Sequence, residues 1–173
     1  MKQIVFIGVL LSLTGCDAAT TSFADSGSWD LAASAENTAF ESRQARLKQR
    51  DVDDYQHTFL LGLEEDDPRK FRLSYNPSRR QECTLRVVGT AVDVTELGLD
   101  WKVNRVELPD SGSTFELHHA IFSTTSRFAY LFGDGEKLAL RVAHQCGDSE
   151  FERVWVFDIK GADVAMNWLR GAD

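Results

Sequence analysis

From His57 to Ile159 the chain repeats one device: short runs in which apolar and polar residues alternate, each closed by turn-forming residues. In "FRLSY" (71–75) the alternation has period two, which on a pleated strand puts Phe71, Leu73 and Tyr75 on one face. "HTFLLGL" (57–63) precedes it as a strand, and the charged turn "EEDDPRK", with Pro68 inside it, separates the two. "NPSRRQ" is the next turn. "CTLRVVGTAVDV" (83–94) alternates through Cys83, Leu85 and Val87, and Gly89 predicts a bulge or bend. "WKVNRVEL" alternates through Trp101 and Val103, then resumes after a slip at Val106 and Leu108. "PDSGS" turns the chain into the strand "TFELHH". "KLALRVA" and "RVWVFDI" are β-branched, alternating strands that flank a loop, "HQCGDSE". So many short strands predict a mostly β domain, an antiparallel sandwich with helical additions.

Two short helices are expected within this frame. Residues 123–133 open with Ser or Thr and close on Gly133. At the C-terminus Gly161 breaks the last strand, and Val164, Ala165, Trp168 and Leu169 recur at helical spacing. Residues 36–50 are helix-compatible, with Phe40 and Leu47 as the only large apolar residues, and read as a helical arm. Residues 16–35, rich in Ala, Ser, Thr, Gly and Asp, read as a flexible tether. The single β-rich domain is thus placed at 36–173.

The first fifteen residues have a different character. Lys2 is followed by the apolar run Ile4–Leu11 and then by small residues, the pattern of a signal peptide. The run is shorter than the ~20 residues a spanning helix needs. Leu13-Thr14-Gly15-Cys16 resembles the lipobox of bacterial lipoproteins. The resemblance implies that Cys16 is diacylated, becomes the first mature residue and is often acylated again. Several acyl chains, at about 0.8 kcal/mol per buried methylene, hold a protein on a bilayer without a transmembrane helix. The location implied is the cell envelope, facing the periplasm. Asp17 resembles the inner-membrane retention signal of some Gram-negative lipoproteins, but other lineages read other positions, so the choice of membrane stays open.

The chain carries 19 basic and 27 acidic residues, a net charge of −8. That balance argues against nucleic acid, which demands a positive footprint, and against electrostatic docking on anionic lipid. With Cys16 assigned to lipid, Cys83 and Cys146 remain, and an oxidising compartment predicts one disulfide between them. The bond would close a loop of roughly 64 residues, for which chain entropy alone estimates about 4 kcal/mol. The alternative is a reactive or metal-binding thiol pair, for which only His144-Gln145-Cys146 offers a neighbouring histidine.

The last fifty residues show a further likeness. A short helix that ends in "FGDGEKLALRV", then the strand "RVWVFDIKG" and then "ADVAMNWLR" follow in the order seen in the C-terminal part of the invasion-associated locus B family. These are secreted bacterial β-sandwich proteins. Lys160, Gly161, Ala165 and Leu169 match the family's Lys-Gly-Phe-x-x-Ala-x-x-x-Leu, with Ala162 in the aromatic position. The family's central cysteine pair has no counterpart in "AIFSTTSRF". The resemblance implies a β-sandwich at the periplasm or cell surface and no catalytic residues.

Candidate chemistry is sparse. His118-His119 with His144 is the best metal-ligand set, but adjacent strand residues point to opposite faces and a site wants a third or fourth ligand at defined spacing. Asp51-Asp53-Asp54 and Glu64-Glu65-Asp66-Asp67 lack the spacing of an EF-hand and read as solvated turns. "DSGS" occurs at 25–28 and 110–113 without the strained elbow a serine nucleophile needs. No catalytic residue, metal or cofactor is therefore expected. Trp101, Trp155 and Trp168 read as core residues, whereas Trp29, in a polar segment, reads as an anchor of the linker on the domain or as a partner contact. The leading functional expectation is a lipid-anchored, non-enzymatic protein-binding module of inhibitor, immunity or accessory type. An envelope hydrolase acting on peptidoglycan or glycans, and a carrier of a small ligand or lipid, are the alternatives.

Overall fold

The computed structural model describes residues 19–22, 29–33, 43–50, 56–77, 83–107 and 114–171. In chain order its elements are β1 (Ala19–Ser22), β2 (Asp30–Ala33), β3 (Arg43–Arg50), β4 (Gln56–Leu63), β5 (Lys70–Pro77), β6 (Thr84–Val92), β7 (Thr95–Leu97), β8 (Trp101–Glu107), β9 (Thr114–Ser123), α1 (Arg127–Asp134), β10 (Lys137–Cys146), β11 (Ser149–Asp158) and α2 (Ala162–Leu169). They form two sheets, with strand orders β1-β11-β10-β6-β7 and β2-β3-β4-β5-β9-β8. Every pairing is antiparallel except that of β1 with β11. The mostly β, sandwich-like fold expected from the alternating runs is the observed one.

Aromatic side chains fill the space between the sheets. Phe59, Phe71, Tyr75, Phe132 and Phe157 are almost fully buried. Phe59 meets Phe157 edge-on at 4.7 Å and stacks on Tyr75 at 5.0 Å. Toward α1, Phe122 and Phe128 meet edge-on at 4.7 Å. Each fully buried Phe contributes roughly 1.5–3 kcal/mol, and edge-on or offset contacts add about 0.5–1.5 kcal/mol per pair. The helices lie at the end of the sandwich where β9 and β11 finish and where β5 and β10 begin. They pack on each other, α1 also on β6 and β9 and α2 on β3 and β4. The opposite end carries the Cys83–Cys146 disulfide, with Cα atoms 4.2 Å apart. The last ladder pair of β10 with β6 is Gln145 with Thr84, so the two cysteines are next in register and the expected bond forms without redirecting either strand.

Several expectations are corrected. The helical arm over 36–50 is not a helix where it is described: Arg43–Arg50 is a strand. Its inward residues are Ala45, Leu47 and Gln49, so period-two alternation is present but muted by a small and a polar residue. Ladder bonds to β4 override the good helix propensity of Ala, Leu, Lys, Arg and Gln. Residues 36–42 lie outside the described residues. Within the expected tether, Ala19–Ser22 and Asp30–Ala33 are edge strands, each satisfying backbone groups that water would otherwise take. Cys16 itself lies outside the described residues.

The loop "HQCGDSE" is instead a strand end, a two-residue turn and a strand start, because Gly147 at φ 59° supplies the left-handed conformation a tight hairpin requires. The expected slip in "WKVNRVEL" is absent: β8 pairs unbroken from Trp101–Ala120 to Glu107–Thr114. Arg105 tolerates the inward-pointing register because it reaches Glu116 at the sheet's edge, 3.2 Å away. At Gly89 the ladder does shift, with Gly89 opposite Arg141 and Val87 opposite Val142, leaving Val88 as the extra residue of a bulge. Helix α1 starts later than expected, capped by the Ser126 hydroxyl accepting from Ala129 N–H at 3.1 Å. It also runs through Gly133 to end at Gly135, whose N–H donates to Leu131.

Candidate functional site

An open groove lies between α1, α2 and the turn after β9. Its floor is Phe71, Ala129 and Met166, and its rim carries Ser126, Tyr130, Asp134, Asp163, Asn167 and Arg170. The helices approach closely there because position 133 is glycine: a Cβ on Gly133 would stand 2.7 Å from the Met166 methyl. The inward stripe of α1 (Phe128, Ala129, Phe132) leaves Tyr130 on the opposite side, 69% exposed. The Asp134 carboxylate one turn on holds the pKa of the Tyr130 hydroxyl above the ordinary phenol value. Arg170 donates to Asn167 at 2.7 Å and lies over the Phe71 ring at 6.0 Å. The Ser126 hydroxyl is engaged in capping α1. The groove therefore offers a planar aromatic ring, hydrogen-bonding groups and charges of both signs on a firm two-helix base. Val164, 57% exposed on α2, adds an apolar surface at the same end of the molecule.

His57, His118 and His144 are buried and are linked through the rings of Tyr75 and Trp155. His118 faces the core at 0% exposure, and His119, the next residue of β9, is 7% exposed and pairs with Ser74 and Lys102. His144 stacks on Phe151 at 4.8 Å, and its neighbour Cys146 is held in the disulfide. No group of three or more His, Cys, Asp or Glu suited to a metal ion occurs among the described residues. In the acidic turn after β4, Asp67 accepts from Arg69 and Lys70, and Glu64 pairs with Arg72. Hydrogen bonds from those cations hold both carboxyl groups below the usual range, so the turn is a knot of ion pairs. Asp51–Asp54 and both "DSGS" stretches lie outside the described residues.

Trp29 docks on the domain. Its indole N–H donates to the Ile159 carbonyl at 3.3 Å and its ring meets Phe132 edge-on at 6.0 Å. Sequence reasoning missed Glu116, which joins the two sheets by accepting from the Leu85 N–H at 3.3 Å while it pairs with Arg105. Nothing in its local sequence marks it, because its partners are distant in the chain.

No protein-family model matches the chain, and no curated protein matches it. No helix among the described residues is long and apolar enough to cross a membrane.

Proposed function

We propose that this is a lipid-anchored envelope protein that binds a protein partner through its helix end and catalyses no reaction. The observation that carries the reading is the exposed ring of Tyr130 on the rim of the α1–α2 groove. A large, rigid, amphipathic side chain that the fold leaves uncovered is the kind of anchor that dominates protein interfaces. The packed aromatic interior supports binding at the surface over the carrier alternative, since phenyl rings already occupy the inter-sheet space. The leader ending in Leu13-Thr14-Gly15-Cys16 supports the anchor, with Cys16 acylated and the domain held in the periplasm.

A photo-crosslinking amino acid placed at Tyr130, in cells expressing the full chain, tests the reading. A discrete protein adduct is expected, weakened by Val164→Asp on the neighbouring helix. Absence of any adduct at 130 and 164 across growth conditions overturns the protein-binding claim. Radiolabelled palmitate should enter the wild type and not Cys16→Ser, and equal labelling of the two overturns the anchor.

A further inference from the structure

The outer face of the six-stranded sheet has a charge composition opposite to that of the whole protein. Register and alternation place Arg46, Lys48 and Arg50 of β3, Lys70 and Arg72 of β5, and Lys102 of β8 on it, all exposed. No carboxylate occupies a described outward position of β3, β4, β5, β8 or β9, and on β2 only Asp30, opposite Arg46, breaks the pattern. Arg72 and Lys70 are partly neutralised from the turn by Glu64 and Asp67. Arg46, Lys48 and Lys102 have no ion pair among the described residues. The other sheet's outer face differs: Lys137 pairs with Asp158 and Arg141 with Glu152, while Glu96 and Glu150 stand beside them. In a chain of net charge −8, the described outward positions of this one broad face are, taken together, cationic.

We infer that this face rests on anionic lipid headgroups, an inference that builds on the lipid-anchored reading of Cys16. The arrangement of charge selects the partner. Strands stand about 4.8 Å apart, so the charged rows of β3, β5 and β8, each separated by an intervening strand, lie roughly 10 Å apart. Charges so spread do not converge on a point ligand; they match an extended planar array of anions. The rows between them, on β4 and β9, are uncharged and include the partly exposed Leu60 and Ile121. β1, which leads back to Cys16 through three residues, belongs to the opposite sheet, so the anchor does not itself bring this face to the membrane and the basic rows must turn the domain.

The test uses the full chain, purified from its host and reconstituted on phosphatidylcholine vesicles with or without phosphatidylglycerol, with amine labelling read by mass spectrometry. On anionic vesicles, labelling of Lys48 and Lys102 should fall about fivefold, the shift that roughly 1 kcal/mol per basic side chain gives. Lys137 and Lys160, away from this face, should be unchanged. The protection should vanish near 1 M salt, where the screening length is about 3 Å. Neutralising Arg46→Gln should reduce the protection of Lys48 and Lys102 without altering the fold. Equal labelling on both vesicle types overturns the inference. So does protection without vesicles, which would mean that the chain's own segments or a second copy covers the face, or protection only with an acidic envelope protein present. Failure of the anchor reads differently: the chain then does not float with plain phosphatidylcholine vesicles, while salt-sensitive flotation with anionic ones still reports the face.

Discussion

His118 concentrates the chemistry of the core at one residue. It is fully buried, neither ring nitrogen has a hydrogen-bond partner among the described residues, and the nearest carboxylate oxygen, on Glu116, is 3.8 Å away. Burial pushes its pKa below the ordinary histidine value, outweighing the opposing pull of Glu116, and His119 beside it lowers it further. The sign follows directly. Unfolded His118 takes up a proton near pH 6.5 and the folded residue only at lower pH, so the unfolded state binds more protons as pH falls and stability is lost. Between pH 7 and 5, denaturant unfolding of the wild type should weaken more steeply than that of His118→Leu, by up to about 1.4 kcal/mol per pH unit for one proton. Parallel profiles for the two proteins would show that His118 takes up no proton on unfolding. The sequence showed His118 and His119 on opposite faces of one strand. It could not show that both are buried, because burial depends on which strands lie alongside.

Among the elements, β3 is the most instructive. Its inward Gln49, 2% exposed, reaches across to the other sheet, where its side-chain amide bonds both backbone groups of Asp158 on β11. The side chain imitates a strand partner at a place where the chain offers none. Gln49→Leu keeps the volume and orphans one N–H and one C=O, each costing about 1–3 kcal/mol when buried. A loss of roughly 2–5 kcal/mol in thermal or denaturant unfolding is expected, and a change under 0.5 kcal/mol would mean that those groups find other partners. The same residue explains why β3 reads poorly as a strand: a glutamine in an inward position looks like a break in the alternation. β4, β5, β10 and β11 read well because their inward residues are large and apolar along most of each strand.

For the whole molecule the disulfide is the strongest covalent constraint. Cys83 and Cys146, 63 positions apart, enclose β6 through β10 and α1, so the bond ties off a large part of the fold at the end opposite the helices. Cys83→Ser should lose about 2–5 kcal/mol and become readily proteolysed. Thiol labelling of the unfolded, unreduced wild type should find neither Cys83 nor Cys146 reactive; two reactive thiols would refute the bond. Charge, too, is organised at this scale. A net of −8 says nothing about a face, because alternation on β3, β5 and β8 can collect cations on one side of a sheet.

The sequence by itself determined what is local. Period-two alternation specified most strands, Gly161 marked where the last helix begins, and an isolated cysteine pair specified its own partner. Tertiary structure alone decided what depends on neighbours far along the chain. The edge strands β1 and β2 exist because β11 and β3 offer them open ladders. Glu116 and Gln49 acquire their roles from the opposite sheet. The groove and the cationic face arise from which elements pack side by side. Hydrogen-bond ladders and electrostatic fields are summed over such neighbours, and a linear pattern carries no record of that sum.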